Sequence, residues 1–311
     1  MGKGYGFGKT ILFGEHFVVY GLPAIASAIG SKTTAVVERS NSYELIDNRP
    51  ETPGYKKEKF DEQKISNENI FRTMGIDMTK TPLRITLGGN LIAASGVGAS
   101  AASCAAIARA LNEEFNLDYD DNKINEIAYE GEKGYHGTPS GIDNAAAVFG
   151  GLIWYKKNPS GGQNIMERIQ IKEPVEIVLG NTGITSSTSV VVGDVKKAKE
   201  ANPEKFDRTF KDYEKLVNIA RSDLNEFNLK KVGELMNQNH KLLQEIGVSC
   251  KELDFLVDVA RRNGAYGAKL TGTGRGGLMI ALTPGKKLQE KVANAIEKEG
   301  FSVFRTKIGA R

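Results

Sequence analysis

The 311-residue chain predicts an α+β fold in two domains, α/β in the N-terminal half and α+β in the C-terminal half. Three observations carry this. Short β-branched runs alternate with helical stretches through the first half. A helical tract broken only at turn residues then extends from Val195 to about Asn263. A β–loop–α–β pattern ends the chain. The boundary falls near Thr185–Val195, which divides the domains as 1–190 and 191–311.

Taken in order, "KTILFGEH" (Lys9–His16) is a short apolar strand, and "TTAVVERS" and "SYELID" continue as strands through their β-branched residues and partial alternation. Residues 54–81 are polar and include "SNENIFRTMG", a helix. In "LRITLGGN" (Leu83–Asn90), Arg84 and Thr86 alternate with Leu83, Ile85 and Leu87, as in a strand with one buried face. "ASGVGASAASCAAIARAL" then sets Gly96, Gly98 and Ser100 at alternate positions before an alanine-rich helix from about Ser100 to Phe115. "DDNKINEIAYEGEK" has Asp120 or Asp121 as N-cap and helical spacing through Ile124, Ile127 and Ala128. "GTPSGIDNAAAVFGG" is a short helix capped by Ser140 and stopped by two glycines. "GLIWYKK" and "VEIVLGNTG" are strands. The helical tract breaks at Pro203, Asn228 and Gly247, and the chain ends in "AYGAKLTGTGRGGLMIALT", the helix "KKLQEKVANAIEKEG" and the strand "FSVFRTKI".

Composition excludes several function classes. A net charge of +4 with acids and bases interleaved argues against nucleic acid but suits an anionic small substrate. No apolar run approaches the roughly 18 residues of a membrane span. The opening "MGKGYGFGKTILFGEHFVVYG" is too broken by Gly, Lys and Glu to read as a signal peptide. Cys104 and Cys250 form no CxxC, and His16, His136 and His240 have no metal-ligand spacing. Disulfide and zinc readings therefore fail, which fits a reducing cytoplasm.

The glycine loop carries the first chemistry. A helix N-terminus presents unpaired N–H groups and a positive dipole end, so it attracts phosphate, and preceding glycines let the phosphate come close. The loop is not a Walker A motif, because no Lys-Ser/Thr follows the glycines. "GVGASA" fits the loose G-x-G-x-x-A dinucleotide pattern, yet the acids of "NLDYDDNKINEIAYEG" cap another helix instead of ending a second strand. Taken alone, the loop reads first as a tight packing turn. Two further stretches stand beside it: "KLTGTGRGG" (Lys269–Gly277), a second glycine-rich loop, and "GFGKTILFGEHFVVYG", with Lys9 at the start of a strand and Glu15-His16 at its end.

These three stretches together resemble the three motifs of the GHMP small-molecule kinases, over nearly the whole chain. Gly14-Glu15-His16-Phe17-Val18-Val19-Tyr20-Gly21 and "GEKGYHGTPSGIDNAAAVFGGLI" are similar to the mevalonate kinases of that superfamily. The chain departs from the common pattern at Phe7, where proline is frequent, and at Ala99-Ser100, where two serines are usual. The resemblance implies a GHMP-kinase-like two-domain fold: an N-terminal α/β domain like domain 2 of ribosomal protein S5, a ferredoxin-like C-terminal α+β domain, and an active site between them. It implies ATP-dependent phosphorylation of the 5-hydroxyl of (R)-mevalonate, on the route to isoprenoids, with Mg²⁺ as cofactor. Alternatives are a kinase of the same superfamily acting on phosphomevalonate or homoserine, and a non-catalytic nucleotide-binding homologue. The intact Lys9, Ser100, Glu132 and Asp143 set argues against the last. The sequence leaves the oligomeric state open, a homodimer being one option.

Phosphoryl transfer needs positioning, charge neutralisation and a group aligned on the attacking hydroxyl. Gly96, Val97, Gly98, Ala99, Ser100, Ala101 and Ala102 are expected to hold the nucleotide phosphates. Ser100 offers Mg²⁺ a hydroxyl, and the resemblance assigns the carboxylate to Glu132, with neighbouring Glu130 as its competitor. Asp143 falls in the first turn of its helix, where the dipole favours the ionised form, and is the expected proton acceptor, with Lys9 as cationic partner. Lys269, Thr271 and Gly272 are expected to close over phosphates and substrate, and Glu15, His16 and Thr188 to line the substrate wall.

Overall fold

The structure, a computed structural model, describes residues 1–311 apart from Ser95, Pro159 and 161–163. In chain order its elements are β1 (Gly2–Phe13), a short 3-10 turn (Phe17–Tyr20), β2 (Pro23–Arg39), β3 (Glu44–Asp47), α1 (Tyr55–Glu58), α2 (Phe60–Thr73), β4 (Leu83–Gly89) and α3 (Ala99–Phe115). There follow α4 (Asp121–His136), α5 (Ile142–Phe149), β5 (Leu152–Lys156), β6 (Ile165–Ile169), β7 (Val175–Asn181), α6 (Thr188–Ala201) and α7 (Pro203–Asn225). Last come α8 (Leu229–Glu245), α9 (Lys251–Arg262), β8 (Gly267–Thr271), β9 (Leu278–Leu282), α10 (Lys286–Lys298) and β10 (Ser302–Ile308). Two compact units result: residues 1–9, 28–150 and 311 form the first, residues 10–27 and 151–310 the second. No helix among the described residues is long and apolar enough to cross a membrane.

In the first unit β4 runs antiparallel to the later part of β2, from Leu83 opposite Arg39 to Gly89 opposite Thr33, and β3 lies parallel to β4. The alternation in β4 holds: Leu83, Ile85 and Leu87 are buried, while Arg84 and Thr86 are half-buried. That apolar face shares one core with Ile70 of α2, Ile107 and Leu111 of α3, and Ile124 and Ile127 of α4. Asp120 caps α4, its carboxylate accepting from the Lys123 N–H at 2.9 Å.

The packing of β1 explains a feature of the sequence that periodicity does not flag. The strand reaches back to Gly2 instead of beginning at Lys9, and its alternate residues are glycines. A methyl group at Gly2 would lie 2.0 Å from the Ala110 carbonyl oxygen, at Gly4 2.1 Å from that of Ala106, and at Gly6 2.2 Å from that of Ala102. Strand and helix backbones therefore touch directly, running in opposite senses. Two residues of strand advance about 6.8 Å and four residues of helix about 6 Å, so the contact repeats in step.

In the second unit β7 pairs with β10 and β9, and β9 with β8, all antiparallel, in the order β10-β7-β9-β8. This is the ferredoxin-like arrangement. The helices α8 and α9 pack on β8, and α10 packs on β7 and β10. The helical tract begins at Thr188, earlier than Val195, and breaks beside Pro203, Asn228 and Gly247 as expected. Pro203 takes the first position of α7, where a missing N–H leaves no bond unmade. The first residues of β2 pair with β5, and β5 with β6. Strand β6 has no sequence signature, because of its five residues only Ile169 is buried.

His240 of α8 is 2% exposed. The Leu270 N–H donates to its Nδ1 at 3.3 Å, so Nε2 carries the proton and donates to Asp254 at 3.1 Å. Burial pushes its pKa down to about 4.

Gly4→Ala should destabilise the fold by about 1–3 kcal/mol through overpacking, read as a lower urea midpoint at unchanged slope. Gly193→Ala in α6, where a methyl meets nothing within 4 Å, should not; equal midpoints would mean that β1 and α3 separate freely. His240 yields a second test. Its folded pKa lies below the ordinary value of 6.5, so between the two the unfolded chain binds more protons. The stabilisation is complete above pH 6.5 and is lost as pH falls toward the folded value. The melting temperature should fall more steeply over this window in the wild type than in His240→Gln, and parallel curves would assign the acid loss to other groups.

Candidate active site

The glycine loop meets β1 at Lys9. The Lys9 N–H donates to the Val97 carbonyl at 2.8 Å. Gly98 lies alongside, with φ of +70°, and a methyl there would sit 2.7 Å from Lys9 Cγ. Backbone conformation and close approach thus both require glycine. Gly98 is also the N-cap of α3 and makes no side-chain cap bond there, so among the described residues the N–H groups of Ala99, Ser100 and Ala101 are available to an anion.

Asp143 occupies the first turn of α5. The cap there is Gly141, correcting the expected Ser140: the Ser140 hydroxyl sits one residue further back and accepts from the Ile142 N–H at 3.4 Å. Asp143 Oδ1 lies 3.2 Å from Lys9 Nζ, and Lys9 is 9% exposed. From α4, Glu132 enters the same region at 1% exposure, and among the described residues its two buried carboxylate oxygens have no hydrogen-bond partner. Burial first and the Asp143 charge second push its pKa up to about 8, only partly opposed by the Ser100 hydroxyl and Lys9. His136 Nε2 is 3.9 Å from Glu132 Oε2. Glu130, by contrast, stands at the surface, paired with Lys133 at 2.6 Å.

A buried carboxylate with no partner is costly unless a cation completes it. Among the described residues no group of three or more His, Cys, Asp or Glu side chains could hold a metal. The oxygen set of Glu132 and Ser100 suits Mg²⁺, which takes few protein ligands and fills the rest from phosphate and water.

Sequence reasoning missed Arg49. It is 6% exposed; its guanidinium grips Asp47 at 2.9 and 2.6 Å and donates to the Ala99 carbonyl at 3.3 Å and the Ser103 hydroxyl at 2.5 Å. It thereby braces the first turn of α3. An arginine in a polar stretch carries no spacing that would reveal this.

The remaining candidates gather in the second unit. The Lys269 and Glu15 side chains are wholly buried and ion-paired, and Lys269 also donates to the Leu270 carbonyl at 2.6 Å. Burial pushes Glu15 up and Lys269 down, and their mutual attraction opposes both shifts. Each is thus committed to the other and acts on its surroundings by position. His16 Nε2 donates to the Thr273 carbonyl at 2.6 Å. The Thr271 hydroxyl donates to the Ile11 carbonyl at 2.9 Å and accepts from the Ile11 N–H at 3.2 Å. The Thr188 and Thr273 hydroxyls are 2.7 Å apart. Gly272 opens the loop, with nothing within 4 Å of where a methyl would stand.

Comparison with known proteins identifies the family. Residues 65–151 match the GHMP kinases N terminal domain and residues 220–302 the GHMP kinases C terminal domain. The chain is 35% identical to the mevalonate kinase of Pyrococcus abyssi and 36% identical to that of Pyrococcus horikoshii, each over 96% of this chain and 93% of the relative. It belongs to the mevalonate kinase family of the GHMP kinases. The crystal structure of L. major mevalonate kinase in complex with R-mevalonate matches with a TM-score of 0.94 and 39% identity, covering 100% of this chain and 96% of that one.

For this GHMP kinase, Gly98→Ala should lower kcat by at least about tenfold, because a misplacement near 1 Å is enough to cost positioned chemistry that much. Combined with Lys9→Met it should add little to the loss from Lys9→Met alone. Additive losses in steady-state assays would mean that the glycine serves the loop and not the lysine.

Proposed function

We propose that the chain transfers the γ-phosphoryl group of ATP to the 5-hydroxyl of (R)-mevalonate. The observation that carries this reading is the juxtaposition of the Lys9–Asp143 pair at 3.2 Å with the unpartnered, buried Glu132. Mevalonate is favoured over phosphomevalonate or homoserine by the likeness to mevalonate kinases along nearly the whole chain, including one solved in complex with R-mevalonate. In this reading the N-terminal domain (1–190) supplies Lys9, residues 96–102, Glu132 and Asp143. The C-terminal domain (191–311) supplies Lys269, Thr271 and Gly272.

Residues 96–102 hold the phosphates at the open N-terminus of α3, where N–H groups and the helix dipole face an anion. Asp143 accepts or steadies the proton of the attacking hydroxyl. Lys9 orients Asp143 and neutralises charge that develops on the hydroxyl oxygen. Glu132 and Ser100 would hold Mg²⁺, which when bound neutralises phosphate charge. His16 and Thr188 contact the substrate, and Glu15 acts beside them through its pair with Lys269.

A coupled ADP-release assay should register turnover with (R)-mevalonate and almost none with phosphomevalonate, homoserine or galactose. Turnover of phosphomevalonate alone would reassign the substrate. Asp143→Asn should keep the fold, since asparagine also suits a helix start, while kcat falls by about a hundredfold or more and the KM for ATP moves little. Glu132→Gln should raise the Mg²⁺ needed for half-maximal rate. If Glu130→Gln does so instead, the surface carboxylate is the ligand.

A further inference from the structure

We propose that Arg275 is a positioning residue that latches the loop Thr271–Gly277 to α6. The proposal rests on the reading above, in which this loop serves the phosphoryl transfer. Arg275 lies between Gly274 and Gly276 and itself holds φ at +51°. A residue with a Cβ adopts that conformation at a cost that glycine does not bear. Glycine would make the same turn, so the strain points to a use for the side chain.

That side chain spans two elements. Its Nη1 donates to Asp194 of α6 at 2.6 Å and its Nε to the Gly247 carbonyl at 3.1 Å, while the Arg275 N–H donates to the Val248 carbonyl at 2.8 Å. Helix α6 buries only Val191 and Val195, so it has little apolar anchorage. Polar ties to the loop do more of the holding: the Arg275–Asp194 pair, the Thr188–Thr273 hydroxyl contact at 2.7 Å, and the Ser186 hydroxyl donating to the Gly274 carbonyl at 2.6 Å. On its other side the loop receives the His16 hydrogen bond through Thr273. A shift of the latch therefore moves the backbone that His16 holds. The ion pair is partly exposed, 37% at Arg275 and 41% at Asp194. Such pairs contribute little to global stability, which leaves local order as what this one can change.

The test uses Arg275→Gln, Asp194→Asn and the double variant in the full-length protein. Amide hydrogen exchange over residues 272–277 should speed up about threefold to tenfold in each single variant, the scale of one ordinary hydrogen bond lost at a partly exposed site. The kcat should fall about tenfold with both KM values within about twofold, as expected when positioning is lost and binding kept. The melting temperature should stay near wild type. The double variant should be no worse than either single variant. Unchanged exchange with a raised KM for mevalonate would overturn the latch in favour of direct substrate contact. Additive losses in the double variant would overturn it as well. The exchange measurement needs no substrate, so a wild type that ignores mevalonate would sink the functional reading while accelerated exchange still supports the latch.

Discussion

Strand β1 lies on helix α3 with no side chain between the two backbones along Gly2, Gly4 and Gly6, and the placement of the chemistry follows from this contact. Any Cβ on that face would push the strand outward. Held this way, the strand delivers Lys9 to the place where α3 begins, with Gly98 leaving room for its side chain. The amine then reaches Asp143, which a separate helix supplies. Glycine and alanine stripes are usually read as loss of packing; in this kinase they set the distance between a lysine within the strand and a helix N-terminus.

Two buried charge systems differ in how complete they are. Lys269 pairs with one Glu15 oxygen, Oε1, while Oε2 has no hydrogen-bond partner among the described residues, so the charge is matched and the pair's effect is to fix the residues on either side. Ion pairs of this kind are weak evidence for stability, since lost hydration offsets much of their attraction. Glu132 is open: two buried oxygens, no hydrogen-bond partner among the described residues, and a like charge on Asp143 nearby. Selection for stability alone would remove such a group. A carboxylate perturbed by burial and a specific neighbour, beside an uncapped helix start, is the pattern expected of a working site.

Legibility in the sequence tracked how local the cause was. The alternation in β4, the Asp120 cap and the breaks at Pro203 and Gly247 each depend on a few adjacent residues, and each appears as read. The Ser140 cap missed by one residue because glycine can occupy a cap with no side-chain signal. Strand β6 escaped because its residues face solvent, so pairing with β5 and not burial makes it a strand. Glu130 and Glu132, two residues apart on a helix, point roughly 200° apart. One had to be outside if the other was inside, but the choice rested on which face of α4 met α2 and α3.

The sequence by itself determined most of the succession of elements, the glycine-rich helix start and the set of acids and lysines available to it, since these rest on backbone conformation and short-range periodicity. Only the tertiary structure decided that Lys9 meets Asp143, that Glu132 lacks a hydrogen-bond partner among the described residues, that Lys269 is committed to Glu15, that Arg49 braces the first turn of α3, and that Arg275 reaches Asp194. The reason is distance along the chain. Lys9 and Asp143 are joined by strands and helices whose relative placement depends on close packing, and a buried charge is recognised only by what surrounds it.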